Sequence, residues 1–190
     1  MDLHIYNEAE QFIFDSFNKI GKSSRIRHFE RTVYWVKRLK PKADEALLVA
    51  AIAHDIERAF LQKGVLEKMN SAGSTSTEHI RPHEERGAEI IADFLKQRNV
   101  NSNFIERVKM LVSRHEEGGN DDQNLLKDAD SLSFFETYVS IFINEKTKLD
   151  GKERVRQQFD WMFNRITSEK AKKIAQPLYE AAIKALITSP

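Results

Sequence analysis

Apolar residues recur three and four positions apart through almost the whole chain, the pattern of helices that bury one face. The period predicts helices over about 5–20, 24–40, 43–58, 83–98, 103–116, 122–145, 151–166 and 168–188. No segment alternates apolar and polar residues as a half-buried strand does. The stop signals agree with the periodicity: Gly21 follows the first helix, Pro41 follows the second, and Gly118-Gly119 closes the fifth. Pro82 is expected to open the fourth, with Glu84 and Glu85 in its first turn, where the helix dipole favours acids. The pattern describes one all-α domain over 1–190, a compact bundle of about eight helices.

One stretch breaks the pattern. Residues 62–81, QKGVLEKMNSAGSTSTEHIR, contain a SAGSTST centre with nothing to pack. A loop this long in a helical domain is expected to be either a mobile lid over a binding site or a surface insertion.

Two predicted helices are apolar on most faces, and both carry polar residues where a core is expected. Leu47–Ala53 is an unbroken apolar run, so its helix belongs at the centre, yet His54 and Asp55 follow directly. Burying a polar group without a partner costs about 1–3 kcal/mol. Neighbours on a helix point about 100° apart, so two adjacent side chains can converge on a cation between them. The alternative is a capping or core His-Asp pair. The second helix, LLKDADSLSFFETYV, contains Asp128 and Asp130. Two residues mean about 200° of rotation, so one aspartate faces a given ion and the other needs a different partner.

Three more of the six histidines sit beside apolar stripes. His28 accompanies Phe29, Val33 and Val36; His83 accompanies Gly87, Ile90 and Phe94; His115 accompanies Phe104, Val108 and Leu111. A lone inward histidine is ordinarily a satisfied core residue. Four on different helices, together with buried acids, point to a shared site.

Composition limits what that site holds. The chain has no cysteine, which excludes disulfides and thiolate ligands and leaves nitrogen and oxygen donors for any metal. Charged residues make up 31 % of the chain but balance to +1, which gives no reason to expect a nucleic-acid polymer or an anionic membrane as partner. The opening MDLHIYNEAEQF lacks the basic and apolar regions of a signal peptide. No apolar stretch approaches the roughly 20 residues of a membrane span, so a cytoplasmic location is expected.

The ordered set of His28 in RHFERTV, His54-Asp55 in LLVAAIAHDI and an acid in LLKDADSL resembles the HD-domain superfamily of metal-dependent phosphohydrolases. HEERGAEIIADFL, VKMLVSRHEEG and the C-terminal RQQFDWMFNRITSEKAKKIAQPLYEAAIKAL are similar to its small stand-alone bacterial branch. The motif-bearing core runs over about 24–140, with helices over about 151–188 packing on it.

The resemblance implies that His28, His54, Asp55 and Asp130 ligate one tight divalent ion. It selects Asp130 over Asp128 because Asp130 stands in the order Ala-Asp-x-Leu. Asp128 would then orient a ligand histidine or the substrate. His83 and His115 match positions that hold a second, weaker ion or contact substrate phosphate. Manganese, iron, cobalt, nickel, zinc and magnesium all suit such donors. The implied activity is hydrolysis of a phosphoester or phosphoanhydride in a small-molecule substrate, a nucleotide or similar phosphate, with Asp130 or Asp128 orienting the attacking water. Arg31, one turn after His28, together with Arg58 and Arg81, would bind phosphate, and closure of 62–81 would bring Arg81 or His79 to the substrate. Glu57, Glu116 and Glu117 remain as candidate acid groups, against the ordinary reading of such glutamates as solvated helix ends.

Two departures narrow the substrate. Arg58 stands where guanosine-tetraphosphate hydrolases of the superfamily carry the first of an acidic pair. SRHEEGGND lacks the paired histidines and the Gly-Tyr-Pro motif of its cyclic-dinucleotide phosphodiesterases. Neither activity is expected. A non-catalytic metal- or ligand-binding domain and a di-iron oxygenase are the other readings of the same residues.

Overall fold

Side chains start several of the helices. The carboxylate of Asp44 accepts the N–H of Leu47 at 2.9 Å and opens the central helix. Asn120 and Gln123 form a reciprocal capping box, and the Ser168 hydroxyl accepts the N–H of Ala171. The computed structural model describes residues 3–61 and 77–189. Its main elements are α1 (His4–Lys19), α2 (Ile26–Leu39), α3 (Glu45–Ala53), α4 (Thr77–Gln97), α5 (Ser102–Val112), α6 (Asp121–Thr137), α7 (Lys152–Asn164) and α8 (Glu169–Thr188). No strand occurs among the described residues, so the chain is an all-α bundle. None of these helices is long and apolar enough to cross a membrane.

α3 is buried from Ala46 to Ala53 and packs against α1, α2, α5 and α6. Leu47 and Ile52 of α3 share its core with Phe17, Phe29, Ile91, Leu95, Leu111 and Leu126. α6 also serves a second core. Its Phe134 and Phe135 meet Phe159 and Met162 of α7 and Ala182 and Leu186 of α8. Leu132 packs with Ile166, Ala171 and Ala175. Asp130 therefore sits at the seam between the N-terminal bundle and the C-terminal helix pair.

Besides the helix expected over 103–116, which stops at Val112, three boundaries differ from those read in the sequence. The helix expected over 43–58 stops at Ala53, and Asp55 turns out of it (φ −102°, ψ 15°) into a 3-10 turn, Ile56–Ala59. The His54 imidazole takes the Ala51 carbonyl, which Asp55 N–H would occupy in a continuing helix. The helix expected over 122–145 stops at Thr137; Val139–Ile141, a π-type turn Phe142–Lys146 and Thr147–Asp150 follow it. This bend lets Phe142 meet both Phe134 and Phe159, at centroid distances of 5.1 and 6.1 Å. Finally, α4 begins at Thr77, so Pro82 lies inside the helix instead of opening it, and 77–81 is helix rather than loop. The remainder of the expected loop, 62–76, lies outside the described residues.

Candidate metal centre

Four histidines reach the centre, and each ring is held by the same nitrogen. His54 and His115 stand just past the ends of α3 and α5, where the last carbonyls of a helix lack partners. Nδ1 of His54 donates to the Ala51 carbonyl at 2.9 Å, and Nδ1 of His115 donates to the Val112 carbonyl at 2.8 Å. His28, in the first turn of α2, donates from Nδ1 to Ser133 Oγ at 2.9 Å; that hydroxyl donates to the His28 carbonyl at 2.7 Å. His83 on α4 donates from Nδ1 to Oε2 of Glu57 at 2.5 Å. Carbonyls and carboxylates only accept, and the Ser133 hydroxyl spends its proton on the His28 carbonyl, so the network puts a proton on Nδ1 in all four rings and turns each Nε2 toward the centre. The rings lie edge to face in the order His28, His54, His115, His83, with successive centroids 5.2, 5.2 and 5.3 Å apart.

Two aspartates complete two groups. Nε2 of His28 lies 2.9 Å from Oδ1 of Asp130 and 3.3 Å from Nε2 of His54, which is itself 3.4 Å from the same oxygen. Two ring nitrogens and a carboxylate oxygen this close need a proton or a metal cation among them. In the second group, Nε2 of His83 lies 3.0 Å from Oδ1 of Asp55 without hydrogen-bond alignment. Nε2 of the fully buried His115 has no hydrogen-bond partner among the described residues. The donor atoms of His28, His54 and Asp130 lie within 4.8 Å of one another, as do those of Asp55, His83 and His115, so each group could hold a metal ion. Imidazole and carboxylate donors with unpartnered buried lone pairs fit a divalent cation. The four ligands expected around one ion are thus divided, with Asp55 grouped with His83 and His115.

Arginines stand behind both aspartates. Oδ2 of Asp55 meets Nε of Arg58 at 2.7 Å and Nη1 of Arg25 at 3.7 Å. Asp130 is ion-paired with Arg165, which also pairs with Glu116 and donates from Nε to Ser131 Oγ at 2.8 Å. Burial alone would raise both aspartates, but Arg58 and His83 hold Asp55 well below the usual carboxylate range. Arg165, His28 and His54 do the same for Asp130.

The histidines diverge. Burial pulls His28 down and takes His115 to about 4, so both stay neutral near pH 7. At His83, burial and the charge of Arg58 are outweighed by Asp55 and Glu57, which raise it to about 9. His54 is raised as well, burial being outweighed by Asp130 and then Asp55. A proton therefore competes with a metal at one histidine of each group.

The centre opens to a cavity of about 490 Å³. His28, His54, Asp55 and Asp130 line its buried end, with Arg25, Arg58 and Glu116. Tyr138, Phe142 and Trp161 form an aromatic wall, and Lys146, Asp150 and Arg154 lie toward solvent. His83 and His115 are not among the residues that line it; of the two roles expected for them, their grouping with Asp55 accords with the second ion rather than with phosphate contact.

Other expected residues are placed elsewhere. Both oxygens of Asp128 are engaged by the backbone N–H groups of Thr167 and Ser168, each at 2.8 Å, and fasten the start of α8. Arg31 pairs with Glu136 at 2.6 and 2.9 Å and stacks 3.8 Å over Tyr34. Arg81 is exposed and paired with Glu85. Of the three expected phosphate-binding arginines, Arg58 alone lines the cavity. Glu57 and Glu116 are not solvated helix ends: the first is buried against His83 and the second is half-buried and paired with Arg165. Glu117 does lie at the surface, paired with Arg114.

Three residues escaped the sequence reading, and a fourth, Glu84, was expected only as an acid in the first turn of its helix. Arg165 carried a faint signal, a charge three residues after Met162 and directly before Ile166 on an apolar stripe. Glu84 is fully buried, and its Oε1 accepts the Glu116 N–H at 2.7 Å, tying α4 to the turn that bears His115; burial pushes it up to about 7. Arg25 and Tyr138 gave no signal at all.

Fold and site together define an all-helical domain built around a buried histidine–aspartate centre able to hold a metal ion. The chain belongs to the family described as a domain of unknown function, DUF4202, whose family model matches residues 15–187. That span takes in every residue of the centre, all of α7 and all but the last residue of α8. No curated protein and no solved structure matches the chain.

Proposed function

We propose that the protein is a metal-dependent phosphohydrolase acting on a small phosphoester or phosphoanhydride, a nucleotide or a close analogue. The observation that supports this best is the convergence of two Nε2 lone pairs on Asp130 at the buried end of a cavity that also carries Arg25 and Arg58. His28, His54 and Asp130 would hold one divalent ion, and Asp55, His83 and His115 a second. Such an ion, when bound, supplies charge against phosphoryl oxygens and lowers the pKa of a water toward neutrality.

The chain's own residues do the rest. Ser133, Glu57 and the Ala51 and Val112 carbonyls fix the rings so that Nε2 faces the ion. Arg165 and Arg58 keep Asp130 and Asp55 ionised. The aromatic wall offers flat faces to a base, and the cavity lies within the range of about 300–1,000 Å³ typical of small-molecule sites.

The test strips the full chain of metal and reloads it with manganese, cobalt, nickel, zinc, magnesium or iron. Phosphate release is then assayed from nucleoside mono-, di- and triphosphates. Metal-dependent release that is lost in His54→Ala is the expected result. Bound metal without release from any of these substrates would leave a ligand-binding domain. Copurifying iron with oxygen consumption would replace hydrolysis by oxidative chemistry.

A further inference from the structure

The hydroxyl of Tyr138 is buried and has no hydrogen-bond partner among the described residues, an arrangement folded proteins seldom keep. Its ring is clamped in place. It lies 4.6 Å from the His28 ring and 5.9 Å from the Phe134 ring, with the Arg25 guanidinium 6.0 Å from its centroid. The residue stands where α6 ends, just before the π-type turn Phe142–Lys146; turns of this kind are frequent at functional sites.

Tyr138 lines the cavity together with Arg25 and Arg58. Arg58 is held close to Oδ2 of Asp55, at 2.7 Å, whereas Arg25 approaches that oxygen only to 3.7 Å. An O–H donor without an acceptor and a loosely paired guanidinium thus stand side by side next to the centre. The acids at this end already ion-pair with Arg58 and Arg165, although Nε of Arg58 is not aligned for a hydrogen bond, so the donors left over suit an anion with several oxygens.

We propose that the Tyr138 hydroxyl and the Arg25 guanidinium bind the phosphoryl oxygens of the substrate. The inference rests on the phosphohydrolase reading and deepens it, putting Tyr138 and Arg25 in the place expected for Arg31 and Arg81.

Binding of inorganic phosphate to the metal-loaded full chain, followed by calorimetry, tests it. Tyr138→Phe removes one hydrogen bond to a charged oxygen, so its Kd should rise about ten- to a hundredfold. Bound metal should be unchanged. The melting temperature without phosphate should be equal or higher, because the lost hydroxyl had no partner. Arg25→Gln should weaken phosphate in the same way.

Equal phosphate affinity in the parent and Tyr138→Phe overturns this inference and leaves the phosphohydrolase reading standing. Loss of metal, or a lower melting temperature at unchanged affinity, would make the hydroxyl structural and overturn it too. A metal-loaded parent that binds no phosphate overturns both.

Discussion

Oε2 of Glu57 accepts the Nδ1–H of His83 at 2.5 Å while Oε1 of the same carboxylate accepts from Arg86 at 2.7 Å. One buried acid thus sets the tautomer of a candidate ligand and anchors α4 through a second contact. Glu57→Gln keeps the shape and removes the charge. Metal affinity of the Asp55, His83 and His115 group should fall about 10–100-fold, with helix content retained. Metal titration followed by circular dichroism checks both halves of the expectation.

The same pair sets a pH window. A histidine raised in the fold stabilises it fully below its unfolded pKa and loses that contribution as pH climbs through the folded one. For His83 in metal-free protein the window runs from 6.5 up to about 9. The melting temperature of chelator-treated protein should therefore fall across this range relative to metal-loaded protein. Metal affinity should rise over the same range as the competing proton leaves. Glu57→Gln should move the window to lower pH.

Arg165, at the end of α7, is the counter-charge of two acids, buried Asp130 and half-buried Glu116. Arg165→Met leaves both without it, and breaking a buried pair from one side costs about 3–5 kcal/mol. Added divalent metal should restore part of that loss, because a cation near Asp130 replaces the guanidinium charge. Chemical denaturation with and without chelator measures the difference. An equal loss in both conditions would reduce Arg165 to a packing role.

Stoichiometry separates one tight ion from two. With two three-residue groups, the loaded parent should hold two ions, and His115→Ala should keep the one at His28, His54 and Asp130. His54→Ala combined with Asp55→Ala removes one ligand from each group and should abolish tight binding. Elemental analysis after desalting gives the count. One ion in the parent, unchanged in His115→Ala, would show that the second group does not bind tightly.

Asp128 and Asp130 should behave as opposites. Asp128→Ala removes acceptors from two backbone N–H groups at the start of α8 and should cost about 1–2 kcal/mol while metal content is kept. Asp130→Ala should lose the metal of the first group. Paired thermal melts and metal analysis of the two variants make the comparison.

The amino-acid pattern alone was enough for the helices and for the inward histidines. A helix interior is a local structure, and a polar residue on an apolar stripe announces its own burial, as His28, His83 and His115 do. The pattern also required that Asp128 and Asp130 find different partners, since about 200° of helix separates them.

Which partners they found was decided in three dimensions. Asp130 meets an arginine 35 residues away because α7 and α8 pack on the far half of α6, and Asp128 fastens the start of α8 for the same reason. Arg31 turns to Glu136, 105 residues distant, although periodicity places it one turn from His28. The separation of Asp55 from Asp130 follows from the break at Ala53, where the His54 side chain takes a carbonyl that a longer helix would have used. Hydrophobic periodicity reports which face of a helix is buried; the groups that meet across that face are set by how the helices pack, and no local pattern records it.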